Sequence, residues 1–93
     1  MQLPATATLD QAAALAAKLP EAVASGSGVL RIDASALQAL DSSTIALLMQ
    51  AQRLALAAGR GFEVVAAPTK LVTLARLYGV DGLLCLSPAA PSP

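Results

Sequence analysis

The chain has no histidine and no tryptophan, and Phe62 and Tyr78 are its only aromatic residues. Each scarcity removes a class of function. Without histidine there is no side chain that normally shuttles protons at neutral pH, and no imidazole for a metal. The single cysteine, Cys85, leaves a thiolate zinc site short of ligands and has no partner for an internal disulfide, which fits a reducing compartment. Two aromatics are too few to stack on bases. Six basic residues balance six acidic ones with no basic block, so nucleic acid is not an expected partner. Long apolar runs are missing as well. Charged residues such as Lys18, Arg31, Asp33, Arg53, Glu63 and Lys70 interrupt the chain before any stretch reaches the roughly 18 residues of a membrane span. The opening Met1-Gln2-Leu3-Pro4 lacks a basic segment followed by an apolar one, so no secretion signal and no membrane insertion are expected. The expected compartment is the cytoplasm, and no cofactor or metal is expected.

What is present is a core. Of 93 residues, 56% are apolar, enough for one small folded domain and too many for a disordered chain. Leu3 to Thr8 reads as an edge strand, where Pro4 is tolerated. Thr8-Leu9-Asp10-Gln11 has capping-box spacing, and Ala12, Leu15, Ala16, Leu19 and Val23 repeat at the period of one helix face. Pro20 predicts a break or kink in that helix. Val29 to Ala34 alternates as a strand does, with Leu30, Ile32 and Ala34 on one face and Arg31 and Asp33 on the other. Ser35 to Leu40 reads as a connector. Phe62 to Ala67, apolar nearly throughout, reads as a strand covered on both sides. A last helix opens at Pro68-Thr69, buries Leu71, Leu74, Ala75 and Tyr78, and stops at Gly79. Val80 to Leu86 reads as a short apolar return, with a last strand as one form it can take. The expected domain spans residues 1–86, followed by a Pro-rich disordered tail over 87–93.

The most informative stretch is Leu40-Asp41-Ser42-Ser43-Thr44-Ile45. An acid and three hydroxyls precede an apolar run, which is how a helix begins. The run from Thr44 to Ala58 predicts a helix with Leu47, Leu48, Ala51, Leu54, Ala55 and Ala58 on its buried face, stopped by Gly59. Asp41 beside Ser42 is not a nucleophile with its base: no histidine exists to relay the proton. Two readings of the hydroxyls stay open, helix capping and contact with a partner. A second stripe of Ile45, Met49, Gln52 and Leu56 is either more core or an apolar patch that docks another protein. Tyr78 is expected as a core ring with its hydroxyl at the surface. Arg76 and Lys70 are expected to be solvated, opposite the Leu71 and Leu74 face, and Cys85 to be buried. Asp33 is expected to support the loop after its strand.

Three stretches resemble the STAS domain family: Leu30-Arg31-Ile32-Asp33-Ala34-Ser35-Ala36-Leu37, its central strand; Leu40-Asp41-Ser42-Ser43, its Asp-Ser/Thr signature ahead of a helix; and Leu74-Ala75-Arg76-Leu77-Tyr78-Gly79-Val80, its final helix. The resemblance covers about residues 7–84. It implies an α/β fold, with a small mixed β-sheet and helices packed mainly on one side. It also implies a non-catalytic interaction module. Ile45-Ala46-Leu47-Leu48 and Ala75-Arg76-Leu77-Tyr78-Gly79 are most similar to the MlaB-type branch. Those are cytoplasmic accessory subunits that bind the nucleotide-binding subunit of a phospholipid-transport (Mla-type) ABC complex, which maintains outer-membrane lipid asymmetry. The expected partner-binding face is then Asp41, Ser42, Ser43, Thr44, Ile45 and Met49. The alternative within the family is a phosphorylation-controlled switch, an anti-sigma factor antagonist or chemotaxis-associated protein, whose partner is an anti-sigma factor kinase. Its phosphoacceptor would be Ser42 or Ser43. A phosphate there is favoured by the helix N-terminus and opposed by Asp41. The family pattern has Gly where Thr44 stands, which sets the Thr44 side chain at the contact. It also has a further strand ahead of Leu3 to Thr8, so the sheet is expected either to lack an edge strand or to borrow pairing from a partner.

Overall fold

Why strands and helices alternate here is visible in the burial of single residues. In the computed structural model, which describes residues 1–88, strand β1 (Thr6–Ala7) leads into helix α1 (Leu9–Ala24). Strand β2 (Leu30–Asp33), the short strand β3 (Ala39–Leu40), helix α2 (Ser42–Ala57) and strand β4 (Phe62–Ala67) follow. Helix α3 (Thr69–Leu77), the four-residue helix α4 (Asp81–Leu84) and strand β5 (Leu86–Pro88) complete the described chain. β2, β4 and β5 form one sheet in the order β2-β4-β5, and β1 pairs with β3. A bridge from Gln2 to Asp33 ties the N-terminal segment to the end of β2.

Every strand pairing among the described residues is parallel, so the sheet is not the mixed one expected from sequence, although the α/β class stands. Each strand is followed by a helix or loop that carries the chain back, which is what parallel neighbours require. β3 lies inside the stretch expected to be a connector. Two residues are too few for a periodic signal.

β2 and β4 pair with Leu30 opposite Phe62 and Ile32 opposite Val64, all four buried. On the other face Arg31 stands opposite Glu63, and the two form an ion pair. Arg31 is exposed, and Glu63 and Val65 are half-buried. One face of the sheet is therefore covered and the other open, where two-sided burial of β4 was expected. Between Val64 and Ala67 the β4–β5 register shifts, and Ala66 takes a positive φ of 55°. This is a bulge in which one extra residue on β4 faces β5.

α1 and α2 pack together through Leu15, Leu19 and Val23 on one side and Leu47, Leu48, Ala51 and Ala55 on the other. The helix runs through Pro20 without the break expected there; Pro20 is exposed, so the ring lies at the solvent side. Both predicted glycine stops hold. Gly59 and Gly79 have φ of 74° and 68°. Each completes a Schellman motif, with Gly59 N–H donating to Leu56 O and Arg60 N–H to Ala55 O, and Gly79 N–H donating to Arg76 O and Val80 N–H to Ala75 O. Arg60 then serves a second helix. Its guanidinium donates to the carbonyls of Val23 at 2.8 Å and Ala22 at 3.3 Å, orphan acceptors in the last turn of α1, and to Gly28 at 3.0 Å in the loop before β2.

Three expectations fail near the C-terminal end. Tyr78 is 53% exposed because α3 stops at Leu77 and Tyr78 is its cap, off the buried face. Cys85 is exposed, with φ 49° in the turn between α4 and β5. Ser87 and Pro88 belong to β5 rather than to a tail, and the rest of the expected tail, 89–93, lies outside the described residues.

Asp33 supports its loop as expected, its Oδ1 accepting from the Ser35 N–H at 2.8 Å. Hydrogen bonds from the Ser35 hydroxyl, then from the Ser35 backbone N–H, hold the Asp33 carboxyl below the ordinary carboxylate range. A depressed folded-state pKa contributes stability above the unfolded pKa, and that contribution is lost as pH falls through the folded value. A carboxyl-carbon NMR titration should find the Asp33 midpoint below the usual value and higher in Ser35→Ala. An unchanged midpoint in the variant would show that the hydroxyl does not act on it.

Candidate protein-docking site

The start of α2 is organised by one carboxylate. Asp41 is the N-cap, and its Oδ1 accepts from the Ser43 N–H at 2.9 Å. Its Oδ2 accepts from the Leu9 N–H at 3.2 Å, in the first turn of α1. Asp41 therefore caps two helices at once, and their positive ends both face its negative charge. Thr44 closes the arrangement. Its hydroxyl oxygen accepts from the Asp41 N–H at 3.2 Å and donates to the carbonyl of Ala7 at 2.6 Å. This network locks β1 and the start of α1 onto the start of α2. At the start of α1, the Gln11 side-chain oxygen accepts from the Thr8 N–H at 3.1 Å and the Thr8 hydroxyl at 2.7 Å.

These bonds sort the expected contact residues. Thr44 is 0% exposed and Ile45 is 5% exposed, so neither offers its side chain to another protein. The placement of Thr44 at the contact is corrected: its hydroxyl is held inside by Ala7 and Asp41. Ile45 belongs to the core, and Met49 is half-buried and packs against it. Of the second stripe only Leu56 is exposed, at 59%. Asp41 is half-buried, Ser42 is exposed and Ser43 is half-buried. The cap is Asp41, so the serines are not needed for capping, and neither serine hydroxyl has a hydrogen-bond partner among the described residues.

What lies beside Ser42 comes from a different helix than expected. A cleft of about 360 Å³ separates the start of α2 from α3, with Leu40, Asp41 and Ser42 on one wall and Lys70, Thr73, Leu74 and Leu77 on the other. Leu77 is 76% exposed. Lys70 is solvated as expected, but it shares this cleft with Leu74 rather than standing opposite it. Leu74, expected in the core, is half-buried against it, and Leu77 stands outside the expected buried face. The available signal was a run of leucines, Leu71, Leu74 and Leu77, at a spacing of three, which drifts off one helix face within two turns. On the other side of the α2 start, Ser43, Ala46 and Gln50 form a shallower groove with Leu9, Ala12 and Ala16 of α1.

No three His, Cys, Asp or Glu side chains among the described residues stand close enough to hold a metal ion. No helix among them is long and apolar enough to cross a membrane. Ser42 is thus exposed and unpartnered among the described residues, beside the apolar side chains of Leu40, Leu74 and Leu77. The chain belongs to the STAS domain family: the family model described as "Mlab, STAS domain" matches residues 1–86. STAS domains are generally non-enzymatic interaction modules, and membership of the family supports that class for this chain. No curated protein and no solved structure matches the chain.

Proposed function

We propose that this STAS domain is the accessory subunit of an Mla-type phospholipid-transport ABC complex, and that it docks on the nucleotide-binding subunit at the cytoplasmic face of the membrane. The contact face is Asp41, Ser42 and Ser43 at the start of α2, with Leu74, Leu77 and Lys70 across the cleft, and Met49 further along α2. The observation that carries the reading is the cleft itself. Ser42 is exposed with no internal bond to hold its hydroxyl, and an apolar wall stands beside it. An exposed apolar patch rimmed by polar groups is a place for another protein.

Ser42→Ala separates this role from a structural one. The hydroxyl has no partner within the domain, so its loss should change stability by less than about 0.5 kcal/mol, while affinity for the nucleotide-binding subunit falls. Unfolding curves with calorimetric binding test both arms; unchanged affinity would remove Ser42 from the contact.

The phosphorylation switch is the second reading, favoured by the same accessibility of Ser42. Against it, the N–H of Ser43 that would receive a phosphate is already held by Asp41, and the added charge would face that carboxylate. Purification from native cells decides between them. Co-purification of a nucleotide-binding subunit with unmodified intact mass supports docking. A phosphate mass on Ser42 or Ser43, with a kinase in place of an ATPase, supports the switch.

A further inference from the structure

We infer that the cleft between α2 and α3 receives an amphipathic helix of the partner, in which an apolar anchor is flanked by a carboxylate that pairs with Lys70. This rests on the docking reading and adds the chemistry of the partner's contact segment. The cleft's apolar wall is Leu40, Leu74 and Leu77, and its two charges are Asp41 and Lys70. They are not equivalent. The Asp41 carboxylate already accepts from Ser43 and Leu9 and faces the positive ends of two helices, so its charge is answered from within the domain. Lys70 is exposed and makes no ion pair among the described residues. The charge left for a partner to answer is therefore positive, and the group that answers it is an acid. The shape of the site sets the rest. From Lys70 to Leu77 the wall runs for two helical turns, about 10 Å. That length suits the spacing of anchors along one face of a short helix laid into a groove.

The test uses the full chain and two labelled helical peptides of roughly four turns, identical in their leucine face. One carries Glu and the other Lys at the flanking positions. Fluorescence anisotropy at low ionic strength should show the Glu peptide binding about tenfold more tightly to the wild type. Lys70→Glu should reverse that preference, and Leu77→Asp should bind neither peptide. Equal affinity for both peptides, a preference untouched by Lys70→Glu, or no binding to the wild type would each overturn the inference. A dimer of the chain alone that Lys70→Glu dissociates would assign the cleft to a second copy and overturn it too. The docking reading is judged separately. A nucleotide-binding subunit lost in Leu77→Asp but indifferent to Lys70→Glu leaves docking in place and removes the acidic pairing. Peptide selectivity without any nucleotide-binding subunit in the native complex keeps the contact chemistry and removes the proposed partner.

Discussion

Replacing Leu77 with Asp should abolish docking of the nucleotide-binding subunit while leaving the domain folded. Leu77 is 76% exposed, so the variant loses little burial when the protein is alone. In the complex the same position would place a carboxylate against an apolar wall formed with Leu40 and Leu74. Central apolar anchors of an interface typically cost about 2 kcal/mol or more when removed, and a buried unpaired charge adds to that. The expected loss of affinity is therefore at least about 30-fold. Stability should stay within about 0.5 kcal/mol of wild type, as for other surface substitutions. Calorimetric titration with the nucleotide-binding subunit and a thermal melt of the same sample check both halves. Met49→Asp is a poorer probe. Met49 is half-buried against the core, so its charge would cost stability as well as binding, and the two losses would be confounded.

The second large effect runs the other way. Asp41→Ala should destabilise the domain strongly, by roughly 2–4 kcal/mol, because it removes the acceptor for helix-end N–H groups of both α1 and α2. Against a total of about 5–14 kcal/mol for a domain of this length, that is a large fraction. Asp41→Asn keeps a side-chain oxygen for one of the two donors and should fall between. Thr44→Val probes the same network from inside. It leaves the Asp41 N–H and the Ala7 carbonyl without their partner, at a cost of roughly 2 kcal/mol. Urea unfolding of the three variants beside Ser42→Ala checks the ordering. If Asp41→Ala were as mild as Ser42→Ala, the bridge between the two helix ends would have no energetic weight.

The elements that periodicity can report were legible. Leu15, Leu19 and Val23 marked the buried face of α1, alternation marked β2, and Gly59 and Gly79 marked two helix ends that need a left-handed residue. The hydroxyl-rich start of α2 was legible as a helix boundary, but not which residue is the cap. Placing the helix from Thr44 instead of Ser42 makes Thr44 a boundary residue open to solvent. With Asp41 as the cap, Thr44 is one turn in, and its side chain points back toward β1. The family pattern, with Gly at this position, set Thr44 at the contact; nothing local to the sequence shows that its hydroxyl is taken by Ala7, 37 positions away. Ile45 was misplaced because it alone of its stripe is buried by the fold, and one helix by itself does not say which residues the neighbours will cover.

The cleft was out of reach of local reasoning. Its two walls are separated by about thirty residues of chain, and they meet only because α3 lies beside the start of α2. The double cap has the same character, since Leu9 and Asp41 lie 32 positions apart. Tyr78 shows the limit from another side. Its spacing continues the buried face of α3, but the helix ends one residue earlier, and the ring turns outward.

Hydrogen exchange on the purified complex of the full chain with its nucleotide-binding subunit tests the location of the contact most directly. The expected result is new protection over Leu40–Met49 and Lys70–Leu77, with the open face of the sheet at Leu30–Asp33 unchanged from the free domain. Protection confined to that sheet face, with the start of α2 and the α3 wall exchanging as they do alone, would contradict docking at the serine and the cleft beside it.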